Sequence, residues 1–247
     1  MVRGQIEKRG QRRRKLKPVI LIVTEGSQTE PKYFEHYRSR QTNIDIRVVG
    51  SRTKGGETDY LGLIRKAVEC QNKNQISASN GDAVWVVADG DVNYNNPDPI
   101  AAKDTLLSRA RKLADAKGIH IAISNPCFEF WYLLHFQYTT KFFKDYPAVK
   151  TALTAYLSDY EKAGDVYAQL SEHTTDAIQN AKRVEQYHIQ NDCNKPFGIA
   201  VNPFTDIYQL FHTQIGVGNR LDGGRRRVKK YLWSFFKNRP GVGQVRP

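Results

Sequence analysis

VWVVADGDVN (84–93) is an apolar run of strand length that stops at two carboxylates, Asp89 and Asp91, separated by Gly90. A run with no polar alternation suits a strand covered on both faces, as in a parallel sheet. Residues two apart on an extended strand share a face, so Asp89 and Asp91 project together, and Gly90 lets the backbone turn or approach a ligand. Two carboxylates held this close repel each other unless a cation compensates. Asp-Gly-Asp is by itself a common turn sequence. Its position at the end of a buried run is what directs it toward function.

Two further apolar runs break at carboxylates in the same way: VILIVTEGSQTE (19–30) at Glu25, and IAISNPCFEFWYLLHF (121–136) at Glu129. The carboxyl ends of parallel strands gather along one edge, where ligands bind. Carboxylates delivered there from three strands could converge on a hard divalent cation such as Mg2+, which takes oxygen ligands. Glu25 directly follows a buried strand, where an unpaired charge is costly. Glu30, just ahead of Pro31, also has a structural explanation, since a negative side chain favours a helix N-terminus. If Asn125 caps a helix that opens with Pro126, a capping-box carboxylate belongs at Phe128. Capping therefore leaves Glu129 unexplained. His135 lies six helical positions on, about 240° around the axis, and reads as a core or second-layer histidine.

Outward from these runs the pattern alternates strand and helix. Strands are expected at 18–24, 44–49, 83–88 and 119–124, with helices from Pro31, over 60–73, over 100–117 and from Pro126. This alternation predicts an α/β fold with a mostly parallel sheet flanked by helices. Downstream the pattern is mainly helical, at about 147–161, 164–190 and 203–214, with Asn202 as cap and Pro203 at the first position of the last. The expected organisation is a basic arm over 1–17, the α/β core over 18–145, a mainly helical portion over 146–221 and a basic segment over 222–247.

The net charge of +13 resides in the ends: 1–17 carries eight Lys/Arg against Glu7, and 222–247 carries eight against Asp222. Such segments suit tethers for a polyanion, bound by neutralising phosphates and releasing counterions; solvated tails are the plainer alternative. Arg12, Arg13, Arg14 and Lys15 at one end, and Arg225, Arg226, Arg227, Lys229 and Lys230 at the other, are the candidate nucleic-acid contacts. In the latter segment Tyr231, Trp233, Phe235 and Phe236 could stack on bases, or pack on the body while the cations snorkel. No apolar run reaches membrane-spanning length, and no signal-peptide segment follows the basic arm. Three scattered cysteines with no CxxC pair favour reduced thiols in a cytoplasm and count against structural zinc. GxxxxGK[ST], GxGxxG and GxSxG are all absent, which counts against an ATPase, a dinucleotide enzyme or an α/β-hydrolase.

VTEGSQTEPKYF, VVADGDVN, ISNPCFEFWYLLHF and NPFTDIYQLF resemble, in order and spacing, the motifs of the RloB-like family, bacterial proteins associated with restriction loci and abortive phage defence. The resemblance covers about 19–212, and SNPCFEFWYLLHF is its most specific part. It implies a Toprim-like core, in which a Glu follows the first strand and a DxD a later one. Those positions are Glu25 and Asp89-Gly90-Asp91 here. Asp89 and Asp91 would then hold Mg2+ or Mn2+, Glu25 would bind metal or manage protons, and Glu129 would complete the site, with Glu30 and Asn125 in support. Lys182 and Arg183 would supply a cation for the transition state. The implied activity is a metal-dependent endonuclease acting on DNA or RNA. A non-catalytic nucleic-acid-binding or sensing module working with a partner ATPase is the alternative, and a topoisomerase or primase activity is weaker.

Overall fold

The computed structural model describes residues 17–38, 44–50, 59–90, 92, 98–162, 164–191 and 199–211. The expected α/β architecture is present. Strands β1 (Val19–Thr24), β2 (Asp45–Gly50), β3 (Ala83–Asp89), β4 (Ile119–Asn125) and β5 (Phe204–Thr205) form one sheet in the order β2-β1-β3-β4-β5. The first four run parallel, and β5 joins the edge antiparallel to β4. Three helices link the parallel strands: α1 (Thr29–Glu35), α2 (Tyr60–Lys73) and α3 (Pro99–Lys117). Beyond β4 come α4 (Glu129–Leu133), α5 (Tyr146–Leu153), α6 (Tyr167–Leu170), α7 (Thr174–Gln190) and α8 (Tyr208–Leu210).

Each parallel strand divides its residues between two cores, because side chains alternate across a sheet. Ile20, Ile22, Trp85 and Val87 pack with Phe34 of α1, Trp131 of α4 and Val184 of α7 on one face. Leu21, Val23, Val84 and Val86 pack with Leu63 and Ile64 of α2 and Ala110 and Ala114 of α3 on the other. Both faces are covered, which is why these strands read as continuous apolar runs. Local chemistry sets the helix ends. Asp59 caps α2 by accepting from the Gly62 amide at 2.8 Å, and Asp98 caps α3 through Ala101. Gly118 ends α3 at φ 65°, a left-handed conformation in which glycine has no Cβ penalty.

Four expected helices are corrected, the first being that over 147–161, where α5 already ends at Leu153. Pro126 opens no helix: α4 starts at Glu129, and the Asn125 side chain binds the carbonyls of Ile199 and Val201 in place of capping helix amides. Asn202 does not cap a helix over 203–214 either. It pairs with the Phe143 backbone through both side-chain atoms, and the chain then forms β5 before the short α8. Asp206 extends that edge, its carboxylate accepting from the Ile123 amide at 2.6 Å and its own amide donating to the Ile123 carbonyl. The Asn125-Pro126 and Asn202-Pro203 peptides are both cis. The helix expected over 164–190 is α6, a short turn and α7. No helix among the described residues is long and apolar enough to cross a membrane.

The strand order reverses between β1 and β3. From β1 the chain passes through α1 to the outer strand β2, and from β3 it passes through α3, on the opposite face, to β4. Where two such connections part, a crevice opens beyond the carboxyl ends of the strands, the usual ligand position in open α/β sheets.

Candidate functional site

Glu25 and Asp89 meet in that crevice. The Glu25 amide donates to the Val87 carbonyl at 3.1 Å, which carries β1 pairing one residue past the strand. Its carboxylate then accepts from the Asp89 amide, also at 3.1 Å. Asp89 is the last residue of β3, two beyond Val87, and so belongs to the face covered by α1 and α4. The peptide after it is held on both sides: Gly90 donates to the Ser124 carbonyl at 2.7 Å, and the Tyr60 hydroxyl donates to the Asp89 carbonyl at 2.8 Å. The Asp89 Oδ1 atom is buried and has no hydrogen-bond partner. Native structures rarely leave such an atom unpaired without a function or an ion to account for it.

Glu30 and Glu129 face the same place. Glu30 is buried at the start of α1, and its carboxylate accepts from the Gly26 amide at 3.0 Å. A Cβ on Gly26 would collide with that carboxylate and displace it, so Gly26 leaves the room in which Glu30 lies. Glu129 is only 1% exposed and accepts from the Tyr160 hydroxyl at 3.0 Å. Burial raises the Asp89 carboxyl well above its ordinary value, and the charges of Glu30, Glu25 and Glu129 push it further, against the pull of Lys162. Burial likewise raises Glu30, with Glu129 and Glu25 adding to it, while its own amide and that of Gly26 oppose the shift. The Cys127 thiol is raised by burial and then by Glu129 and Asp89. Four carboxylates from β1, α1, β3 and α4 thus act on one another. Among the described residues, no three His, Cys, Asp or Glu side chains stand in the geometry of a metal site. Asp91 lies outside those residues.

The family model for RloB-like proteins matches residues 20–213. The chain belongs to the RloB-like family. No curated protein and no solved structure matched it. The matched span begins in β1 and runs just beyond α8, so it holds the whole sheet and every carboxylate above, and leaves out both basic ends.

The RloB-like motif ISNPCFEFWYLLHF spans the end of β4 and all of α4. Its Asn125 is fully buried, donating to the Ile199 and Val201 carbonyls at 2.8 and 2.7 Å while Oδ1 has no partner. A Cβ on Gly90 would stand 2.6 Å from that oxygen, so the backbone just past β3 runs close against the Asn125 side chain. His135, in the turn just past α4, is a core histidine. Its Nδ1 donates to the Trp131 carbonyl, its Nε2 accepts from the Tyr33 hydroxyl, and burial lowers its pKa to about 4.

Lys182 and Arg183 have a different setting, on α7. The Lys182 ammonium lies 5.9 Å from the Tyr208 ring and the Arg183 guanidinium 3.9 Å from the Tyr138 ring. The cation acting on Asp89 and Glu129 is Lys162, on the loop between α5 and α6. Burial works to lower its pKa, but Glu129, Asp89, Cys127 and Glu30 raise it overall. Its carbonyl accepts from the Thr29 hydroxyl, and its ammonium lies 4.6 Å from the Tyr146 ring. YEKAGD (160–165) matches no catalytic pattern, so sequence reading gave no reason to select this lysine. Tyr160, two residues earlier, was missed for the same reason. Arg12, Arg13, Arg14, Lys15, Arg225, Arg226, Arg227, Lys229 and Lys230 lie outside the described residues.

Proposed function

We propose that this chain is a metal-dependent nuclease of Toprim type that hydrolyses phosphodiester bonds of DNA or RNA, serving bacterial defence against phage in the cytoplasm. The observation that carries this reading is the Glu25–Asp89 hydrogen bond at the β1/β3 crevice, beside an Asp89 oxygen that nothing in the protein satisfies. The donors fit the implied ion: carboxylate oxygens suit Mg2+ or Mn2+, and a buried, unpartnered Oδ1 among raised carboxyls is what a cation would relieve. Asp89 and Asp91 would hold it, and Glu25 and Glu129, which make no three-ligand cluster with Asp89, would complete its charged surroundings. Bound there, the ion would polarise the scissile phosphate and lower the pKa of an attacking water.

The chain's own groups have separable parts. Asp89 NH orients the Glu25 carboxylate, and the Tyr160 hydroxyl orients Glu129. Lys162, exposed beside the carboxylates, would meet the negative charge of the substrate phosphate. The basic ends would retain the nucleic acid through its backbone.

Plasmid, single-stranded DNA and tRNA incubated with Mg2+ or Mn2+ provide the test. Cleavage of at least one by the wild type, lost in Asp89→Asn, is the expected result. Failure to cut any of them, or equal cutting by the variant, would sink the proposal. Salt-sensitive binding that survives the substitution would then favour a sensing module acting with a partner ATPase.

A further inference from the structure

We propose that the exposed face of α7 is a second nucleic-acid contact, which grips a single strand through its phosphates and one base, apart from the carboxylate edge. Lys182, Arg183, Gln186, Tyr187 and Gln190 recur at three- and four-residue spacing, so they share one face of the helix. With Tyr138 they line a groove of about 320 Å³. Ligand sites commonly occupy about 300–1,000 Å³, so this groove has room for one small group, and only an unpaired base has a face free to cover a ring there. It lies at the far end of α4 from Glu129: the Asn180 side chain ties α7 to the Leu134 carbonyl, and Tyr138 follows.

The chemistry of the groove favours a nucleic-acid strand over an acidic peptide. Arg183 is exposed and held over the Tyr138 ring at 3.9 Å, a stack that fixes its planar fork and leaves N–H donors for phosphate. Lys182 adds a second charge, and among the described residues neither cation forms an ion pair with a carboxylate. Glu185, the acid on this stretch, is engaged by the Tyr208 hydroxyl and feels the charge of Lys182 only from beyond ion-pair distance. Tyr187 is 40% exposed, a large aromatic surface beside two cations that a base can cover. The glutamine amides donate and accept, as recognition of a base edge requires. A carboxylate-bearing peptide would use the cations and leave the ring and amides idle. This contact goes beyond the cleavage reading and stands without it, because it is measured as binding.

The full chain is titrated, in EDTA so that nothing is cut, against a labelled single-stranded oligonucleotide, an abasic strand of equal length and a duplex. Lys182→Gln/Arg183→Gln should weaken single-strand binding about tenfold and lower the log–log salt slope by about 1.4, or about 0.7 for each phosphate no longer neutralised. Tyr187→Ala should weaken the intact strand about 5- to 150-fold, the equivalent of about 1–3 kcal/mol of stacking, and leave the abasic strand unchanged. Tyr187→Phe should keep wild-type binding, which separates loss of the ring from loss of fold. Lys66→Gln/Lys73→Gln on α2 is the charge control and should change little. An unchanged affinity and slope in the double variant would overturn the inference. So would equal losses by Tyr187→Ala on intact and abasic strands, equal losses on strand and duplex, or displacement of the strand by an equally charged polyglutamate.

Discussion

The Glu25 carboxylate accepts a hydrogen bond from the backbone amide of Asp89 at 3.1 Å, joining the ends of two strands that lie 64 residues apart in sequence. That bond needs an acceptor and not a charge, so Glu25→Gln should retain the fold while losing the carboxylate. Cleavage should drop about 100-fold or more, on the scale of removing a group that acts on the transition state. The melting temperature should stay near wild type, and Glu25→Ala should lower it. Paired melting curves and single-turnover rates check both halves.

Asp89 sits among Glu30, Glu25 and Glu129 and its carboxyl is raised by burial and by all three. Asp89→Asn removes one member of that repulsion. It should stabilise the apoprotein by about 0.5–2 kcal/mol, as substitutions at destabilised active sites often do, while abolishing cleavage. Urea unfolding in EDTA measures the gain.

Divalent cations should raise the melting temperature of the wild type and leave Asp89→Asn unmoved. A ligand at 100 times its dissociation constant stabilises by about 2.7 kcal/mol if it binds only the native state. Calorimetry with Mg2+ and Mn2+, and with Ca2+ as a larger ion of similar ligand preference, separates a specific site from general screening of carboxylates. Equal shifts in wild type and variant would rule out the carboxylate edge as the binding place.

Asp206 gives a pH dependence with a definite sign. Its carboxyl is raised from 3.8 to about 6 by burial, against the opposing pull of Arg111. Between those values the folded chain keeps a proton that the unfolded chain has released, so raising the pH across that interval favours unfolding. Relative to Asp206→Asn, the wild type should lose about 3 kcal/mol between pH 4 and pH 7, from about 1.4 kcal/mol per pKa unit. His135, lowered to about 4, acts in the opposite sense and is common to both proteins, so it cancels in the difference. Parallel curves for the two proteins would contradict the assignment.

Gly90→Ala places a Cβ 2.6 Å from Asn125 Oδ1 and should cost about 1–3 kcal/mol through overpacking. Asn125→Ala removes that oxygen and also the bonds to Ile199 and Val201. The Cβ of residue 125 remains and would stand 2.8 Å from the new methyl, so in the double variant the clash should be relieved only in part, as urea unfolding of the three variants would measure.

The elements that sequence reading recovered are those whose determinants are local. Tyr60–Lys73 shows helical spacing at Leu61, Ile64 and Ala67 behind the capping Asp59, β1 and β3 are apolar runs, and β2 shows alternation. Glu25 and Asp89 were legible because each ends such a run. β5 was not, because two residues carry no periodicity and their pairing partners are Ser124 and Asn125, about eighty positions earlier. Asn-Pro ahead of an apolar stretch has the pattern of a helix start, and only the Ile199 and Val201 carbonyls reveal what Asn125 binds instead. Lys162 owes its place to tertiary packing, including the Thr29 hydroxyl on its backbone, and proximity between distant residues leaves no trace in spacing.

The pairing of Phe204 and Thr205 with β4, and the clasp of Asp206 on Ile123, also bear on biosynthesis. A polypeptide that ends before Phe204 would have the carboxylates beside β1, β3 and α4 but not the border that seals the sheet next to them. Until Val201 and Ile199 emerge, the buried Asn125 amide has neither of its acceptors. Chains cut short there should therefore leave one edge of the sheet open, which ties closure of that edge to a segment made about eighty residues after β4.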